Sequence, residues 1–345
     1  MTSFIASKRR TARLGALLLI ASGLGAAAAG AQATVADSLA GVLASPDIHA
    51  RAVAVARLDA LPTAELTFAA RTALVSLLDA EATHTVAPDP NQIPDEDETY
   101  EEYIIDLTSV VLKLHDPAAL RGLTLVGIQT SEDVQRYIAS SGAGSLPALD
   151  DAWQANPDDR PTIVTTWAFM LGTAAPDALG AQDRQRVLAS IFAATDSFPI
   201  AVAGAARTAS LTALEPVLAE LAANAASDVV RSRAAKAVDV LGPMRDATPP
   251  AQLLVESSDL IGAFCARPGL SNTARVHPNR PAACGKIGAD LNKAAASLQA
   301  SRPDDAKAAL GDASATAAEA RRIGALSAAE GAAVEGNVAY LLTRI

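Results

Sequence analysis

Aromatic side chains are scarce, at 3% of the 345 residues, and the 28 basic residues are outnumbered by 38 acidic ones, for a formal net charge of −10. Nucleic-acid binding needs a basic face for phosphate and rings on which bases can stack, so nucleic acid is excluded as a partner class. Histidine is equally sparse: His49, His84, His115 and His277 lie far apart, and none forms a one-turn pair with another His or a Cys. Short-spaced zinc sites are therefore absent. The chain has no nucleophile elbow and no Ser followed three residues on by Lys. Its one glycine-rich candidate for a phosphate loop, Ser140 to Ser145 (SSGAGS), has no Lys and Ser/Thr behind it and reads as a flexible helix connection. No long alternating run of Val, Ile and Thr is present, which leaves almost no sheet. These absences weigh against an enzyme, and no cofactor is expected.

At the amino terminus, Lys8, Arg9, Arg10 and Arg13 precede an uncharged run from Leu14 to Ala29, followed by small residues at Ala29, Gly30, Ala31 and Ala33. That is the layout of a secretory signal peptide, residues 1–33, with cleavage after Ala31 or Ala33 equally suited. The apolar run is too short and too rich in Gly and Ala for a membrane anchor. General secretion suits it better than twin-arginine export, because Lys8 separates Ser7 from the Arg9-Arg10 pair and Thr11-Ala12 follow it. No Cys lies near the cleavage site, which excludes a lipoprotein anchor. Loss of the leader lowers the basic count from 28 to 24 against 38 acidic residues, a net charge of −14. The mature protein is expected to be soluble in the periplasm or outside the cell.

Export places the two cysteines, Cys265 and Cys284, in an oxidising space, where they are expected to pair. The segment between them is rich in Pro, Gly and Asn and reads as a loop. Closing a loop of this size stabilises by about 3 kcal/mol in the chain-entropy description. A redox-active pair would want closer spacing, so the bridge is read as structural.

Half of the residues are hydrophobic, with alanine the commonest of them, which favours closely packed helices. The clearest helix is Ala226 to Pro243 (ASDVVRSRAAKAVDVLGP), with Val230, Ala234, Ala237 and Leu241 along one stripe and Arg231, Lys236 and Asp239 off it. Ser227 and Asp228 suit its start; Gly242 and Pro243 are expected to end it. The same grammar recurs at Asp47 with Arg51, and at Asp116, Pro117 and Arg121, where Pro suits the first helical position. Weaker starts lie at Asp159-Arg160-Pro161 and Asp196-Ser197-Phe198-Pro199. Asp228 followed by Arg231, then Ala-Ala and Leu-Gly, resembles the inner-helix signature of HEAT and related repeats. The resemblance implies an all-α, irregular HEAT-like solenoid whose inner helices, starting near 47, 117, 161, 199 and 228, line a binding face for protein or peptide partners. Tyr103 to Leu114 is apolar nearly all round and is expected to be an outer helix sandwiched between neighbours.

The prolines of Arg245 to Pro250 suggest a boundary between a solenoid, 34–244, and a helical carboxyl-terminal unit, 251–345. Helices are predicted there at Leu253 to Cys265, Ile287 to Ala300, Pro303 to Ile323 and Ser327 to Arg344, the last with Ser327 and Glu330 as a capping box. The run Leu291, Leu298, Ala306, Leu310 and on to Leu341-Leu342 resembles small helical modules appended to secreted bacterial hydrolases and envelope proteins, which implies attachment or spacing. The acidic stretch Asp89 to Glu102 lacks the alternating carboxylates and central Gly of an EF-hand loop, so calcium is not expected there. The functional expectation is a protein-binding or scaffolding module of the bacterial periplasm or cell envelope. The alternative is an exported enzyme or small-ligand binder with a pocket between solenoid and carboxyl-terminal unit, with Trp153, Trp167, Arg267, Arg275 and Arg280 as first suspects.

Overall fold

The computed structural model describes residues 35–83, 94–173, 178–266 and 277–345. The leader, the first part of the acidic stretch, and Arg267 and Arg275 lie outside the described residues. Within them the protein is all-α and has no strand, as its alanine content and lack of alternating runs require. The helices are α1 (35–42), α2 (Ile48–Asp59), α3 (Phe68–Thr83), α4 (Pro94–Leu112), a short α5 (Leu120–Gly122), α6 (Glu132–Ser140), α7 (Leu146–Ala155) and α8 (Arg160–Thr173). They continue with α9 (Ala181–Ala193), α10 (Pro199–Thr208), α11 (Glu215–Asn224), α12 (Asp228–Ala247), α13 (Pro250–Ala266), α14 (Arg280–Gln299), α15 (Pro303–Arg322) and α16 (Ala328–Arg344).

Local chemistry sets many of these ends. Asp47 accepts from the His49 amide at 2.9 Å and opens α2. Asp116 does the same for the Ala118 amide at 2.9 Å, with Pro117 at the first position of a 3₁₀ turn. The helix that follows is irregular: α5 passes into a π-helical turn over Leu123–Gly127, and a Cβ on Gly127 would stand 2.7 Å from Thr108 Cγ2. Close approach to α4 is thus what Gly127 permits. Ser327 and Glu330 form the expected capping box at the start of α16.

The packing has two parts. Helices separated by one element pair side by side, α2 with α4, and α6 with α8, α8 with α10, and α10 with α12. Helices α13 to α16 close on themselves, each packing on the next and α16 returning to α13. The buried face of α15 is mostly alanine, with Ala306, Ala309, Ala313 and Ala317 fully buried beside Leu310, while α13 and α16 contribute larger side chains such as Leu254, Leu260, Phe264, Val334 and Leu341. This closed group meets the rest through α13 against α9 and through α16 against α11.

Three expectations are corrected. Helix α12 does not stop at Gly242 and Pro243; it runs on to Ala247 because Arg245, one turn further, is buried and held by tertiary partners described below. Pro243 faces solvent, so the cost of its missing amide is offset by that anchoring. Ser140 to Ser145 is a close-packed turn: Gly142 has φ +57°, its absent Cβ would lie 2.2 Å from the Ala178 carbonyl oxygen, and the Ala143 amide donates to that oxygen at 3.0 Å. Helix α4 packs against α2, α3 and the π-helical turn and buries Tyr103, Ile104, Leu107, Val110 and Val111, leaving Ile105 50% exposed. The segment between the cysteines is not loop throughout, since α14 begins at Arg280.

Cys265 and Cys284 are joined, with Cα atoms 5.6 Å apart, tying the end of α13 to the first turns of α14. The double variant Cys265→Ser, Cys284→Ser is expected to lose about 3 kcal/mol in equilibrium unfolding, and reduction of the native protein should reproduce the loss. Gly142→Ala is expected to cost about 1–3 kcal/mol, because a left-handed residue is strained and a carbonyl already occupies the space. Denaturant midpoints of the two proteins check it.

Candidate functional site

The residues singled out by the repeat grammar are structural. Arg51 reaches back from α2 to the turn before it, donating from Nη1 to the carbonyls of Ser45 (2.8 Å) and Pro46 (3.2 Å). Arg231 repeats the device on α12, donating to the carbonyls of Ala225 and Ala226 and to the Asp228 carboxylate. In both cases a helix arginine satisfies carbonyls of the connection that a turn would otherwise leave to water. Arg160 performs a related task, with Nε 2.9 Å from the Trp153 carbonyl. Arg121 departs from this pattern: it lies exposed, and its charge acts on the Asp79 carboxylate, whose pKa burial raises and Arg121 draws back down. Ser227 stands at the cap position of α12 without a side-chain bond there.

Arg51 also enters a buried cluster between α2, α3 and α4. Glu81, 6% exposed, accepts at Oε1 from Arg51 Nη2 (3.2 Å) and the Tyr103 hydroxyl (2.9 Å), and at Oε2 from the Tyr100 hydroxyl (3.3 Å). Burial first, then the neighbouring carboxylate, pushes the Tyr100 hydroxyl up to about 12, and Tyr103 shifts in the same direction. Both oxygens of Glu81 are engaged, so the cluster ties helices together and offers no free acid or base.

A second cluster surrounds Arg245. Its Nη1 pairs with Glu215 of α11, and its Nη2 donates to Asn337 Oδ1 (3.1 Å) and the Gly336 carbonyl (3.2 Å) of α16. The Tyr340 ring centroid lies 4.0 Å from its guanidinium carbon. Asn337, fully buried, donates onward to the carbonyls of Ala213 (2.9 Å) and Ala333 (2.8 Å). Burial pushes the Arg245 pKa down, and Glu215 is the main charge opposing that shift. The sequence-based boundary at Arg245 to Pro250 thus contains a residue that bonds to both sides of it.

Of the first suspects for a pocket, the described ones are engaged within the protein. Trp153 and Trp167 stack with centroids 5.1 Å apart and are 3% and 2% exposed. Arg280, in the segment read from sequence as a loop, is half-buried: it donates to Glu330 Oε2 at 2.7 Å and to the carbonyl of Phe264 at 2.8 Å. His277 accepts from the Asn279 amide at 3.2 Å and lies away from the cleft described next. His115, at φ +49°, ends the α4 segment and sets its ring edge-on to Tyr137.

Among the described residues, one concave feature that combines apolar walls with charged groups is a cleft of about 180 Å³ between α9, residues 209–214 and α13. Ala181, Leu188, Leu211, Leu214 and Leu260 supply its apolar walls; Arg184, Gln185, Ser210, Thr212, Glu256 and Asp259 supply its polar groups. Ser210 adopts φ +54°, which turns the chain sharply at the lip. Thr212, 4% exposed, donates to Glu256 Oε2, and Gln252 Nε2 donates to Glu256 Oε1 at 3.0 Å, which fixes that carboxylate. Asp259 has its pKa raised chiefly by burial and also by Glu256, with Arg184 lowering it. Helix spacing on α13 puts both carboxylates on one face, but their meeting with Arg184 and Thr212 is long-range and had no sequence signal.

No cluster of three or more His, Cys, Asp or Glu suited to a metal occurs among the described residues, and no described helix is long and apolar enough to cross a membrane. Comparison with protein-family models, with curated proteins and with solved structures gave no match.

Arg245→Met should destabilise by about 3–5 kcal/mol, because it leaves Glu215 buried without its partner. Adding Glu215→Gln should recover part of that loss. Denaturant unfolding of the four proteins of the cycle gives the coupling directly.

Proposed function

We propose that this chain is an exported HEAT-like repeat protein, residues 34–244 forming the repeat array and 251–345 a helical unit that closes one side of it. It acts as a binding or scaffolding surface for a protein or peptide partner in the bacterial periplasm or cell envelope. The observation that carries this reading is the side-by-side succession α6, α8, α10, α12, since stacking of alternate helices is how repeat arrays bury a continuous core. The shared arginine device of Arg51 and Arg231 adds to it, as two helices with the same Asp and Arg grammar make the same bonds to the turns before them. Val229, Val240 and Met244 are exposed on α12 at helical spacing, with Arg233 and Lys236 between them on the same face. A partner docking along this stripe would cover apolar surface and meet two cations.

The test is site-specific photocrosslinking in the native envelope, with the probe at Lys236 of α12 and a control probe at Asp312 of α15. Protein adducts are expected from Lys236 alone, on a mature chain beginning at Gln32 or Thr34. A chain that stays in the cytoplasm, or a small metabolite co-purifying where no protein is captured, would overturn the reading.

A second reading has one observation in its favour. The cleft lies between α9, the 209–214 connection and α13, which is where an exported small-ligand binder with a pocket between array and carboxyl-terminal unit would hold its ligand.

A further inference from the structure

We infer that the cleft between α9, residues 209–214 and α13 binds a primary alkylammonium group on a short aliphatic stem. This chemistry is shared by a lysine side chain of a bound peptide and a free diamine. The inference rests on the reading of the cleft as a ligand site and adds the class of ligand.

Size is the first constraint. At about 180 Å³ the cleft falls below the roughly 300–1,000 Å³ of pockets that enclose drug-sized molecules, so nucleotides and multi-ring cofactors do not fit. A four-carbon stem ending in a compact ammonium does.

Charge is the second. Glu256 and Asp259 stand on one face of α13 against the single guanidinium of Arg184, which leaves one negative charge in excess at the lip. An anionic ligand would meet that excess unfavourably. A wholly apolar one would cover charged groups without replacing their hydration. A cation supplies what Arg184 alone does not, and it would meet Asp259 at the exposed rim of the cleft beside the half-buried Glu256.

The third constraint is shape. Leu188, Leu211, Leu214 and Leu260 offer the stem an apolar wall, while the Ser210 and Thr212 hydroxyls stand on the 209–214 side of the cleft. Because Glu256 is held by Thr212 and Gln252, its position is set before any ligand arrives, which limits the ordering cost of binding. A net charge of −10 over the whole chain favours the approach of cations over anions.

Amide chemical-shift mapping of the purified protein tests this with three probes: cadaverine, Nα-acetyl-lysine N-methylamide, and hexanoate, which keeps the stem and reverses the charge. Both amines are expected to shift amides of Arg184, Ser210–Leu214 and Glu256–Leu260, weakly at high salt and more tightly at low salt. Asp259→Asn should weaken amine binding about three- to fivefold, as loss of a partly exposed charge partner does. Arg184→Met should strengthen it about threefold by removing the competing guanidinium, a gain that misfolding cannot mimic. Tighter binding of the lysine derivative would identify a peptide side chain as the source, and tighter binding of cadaverine a free diamine. Weakening by Arg184→Met, or amine affinity unchanged in Asp259→Asn, would overturn the inference. Hexanoate shifting these amides where the amines do not would overturn the ligand class and leave the cleft a ligand site. Silence toward all three probes would remove both.

Discussion

A guanidinium taken out of water must find partners for its charge, and the two terminal nitrogens of Arg245 find them on two helices besides its own, while its Nε makes no hydrogen bond. Glu215 lies on α11, and the Gly336 carbonyl and Asn337 lie on α16, so α11, α12 and α16 must be in place together for the charge to be satisfied. The requirement reaches further through Asn337, which bonds the Ala213 carbonyl in the connection that forms one wall of the cleft. A side chain at the start of the sequence-based boundary thus bonds helices on both sides of it and, through Asn337, is linked to the connection that lines the cleft.

What could be read from the sequence was whatever is decided within a few residues. Asp47, Asp116 and the Ser327 and Glu330 pair cap helices because each side chain bonds an amide two or three residues away. The four carboxyl-terminal helices lie close to where periodicity predicts them, α14 apart, and the cysteine pair joins as compartment and loop composition suggest. The failures share one cause. Gly242 and Pro243 are sound local stop signals, overridden by a contact between residues about ninety positions apart. Arg280 read as a loop residue and a pocket suspect because Glu330 and the Phe264 carbonyl lie fifty and sixteen positions from it in sequence. The cleft was invisible for the same reason: only packing brings Arg184 and Thr212 to Glu256 and Asp259.

The two arginine roles also explain how an alanine-rich chain holds irregular connections. Alanine contributes little burial per residue, so the turns gain their order from polar bonds. Arg51, Arg160 and Arg231 each spend their donors on carbonyls at the ends of preceding elements. Such bonds fix the angle between a helix and the turn before it, and repeating them along the chain makes the connections part of the scaffold. The exposed stripe of α12 therefore begins at a turn whose position Arg231 fixes.

The alanine face of α15 has a consequence for how this part of the molecule tolerates change. Cores rich in Leu and Phe are most sensitive to truncation, which opens cavities. Here Ala306, Ala309, Ala313 and Ala317 have almost nothing to truncate, and Gly336 already brings α16 so near α11 that a methyl group would sit 2.4 Å from Pro216 Cβ. The vulnerable direction is growth: each added methylene must push two helix backbones apart. Sequence drift at these sites is consequently one-sided, and the spacing of the helices acts as a steric ceiling on it.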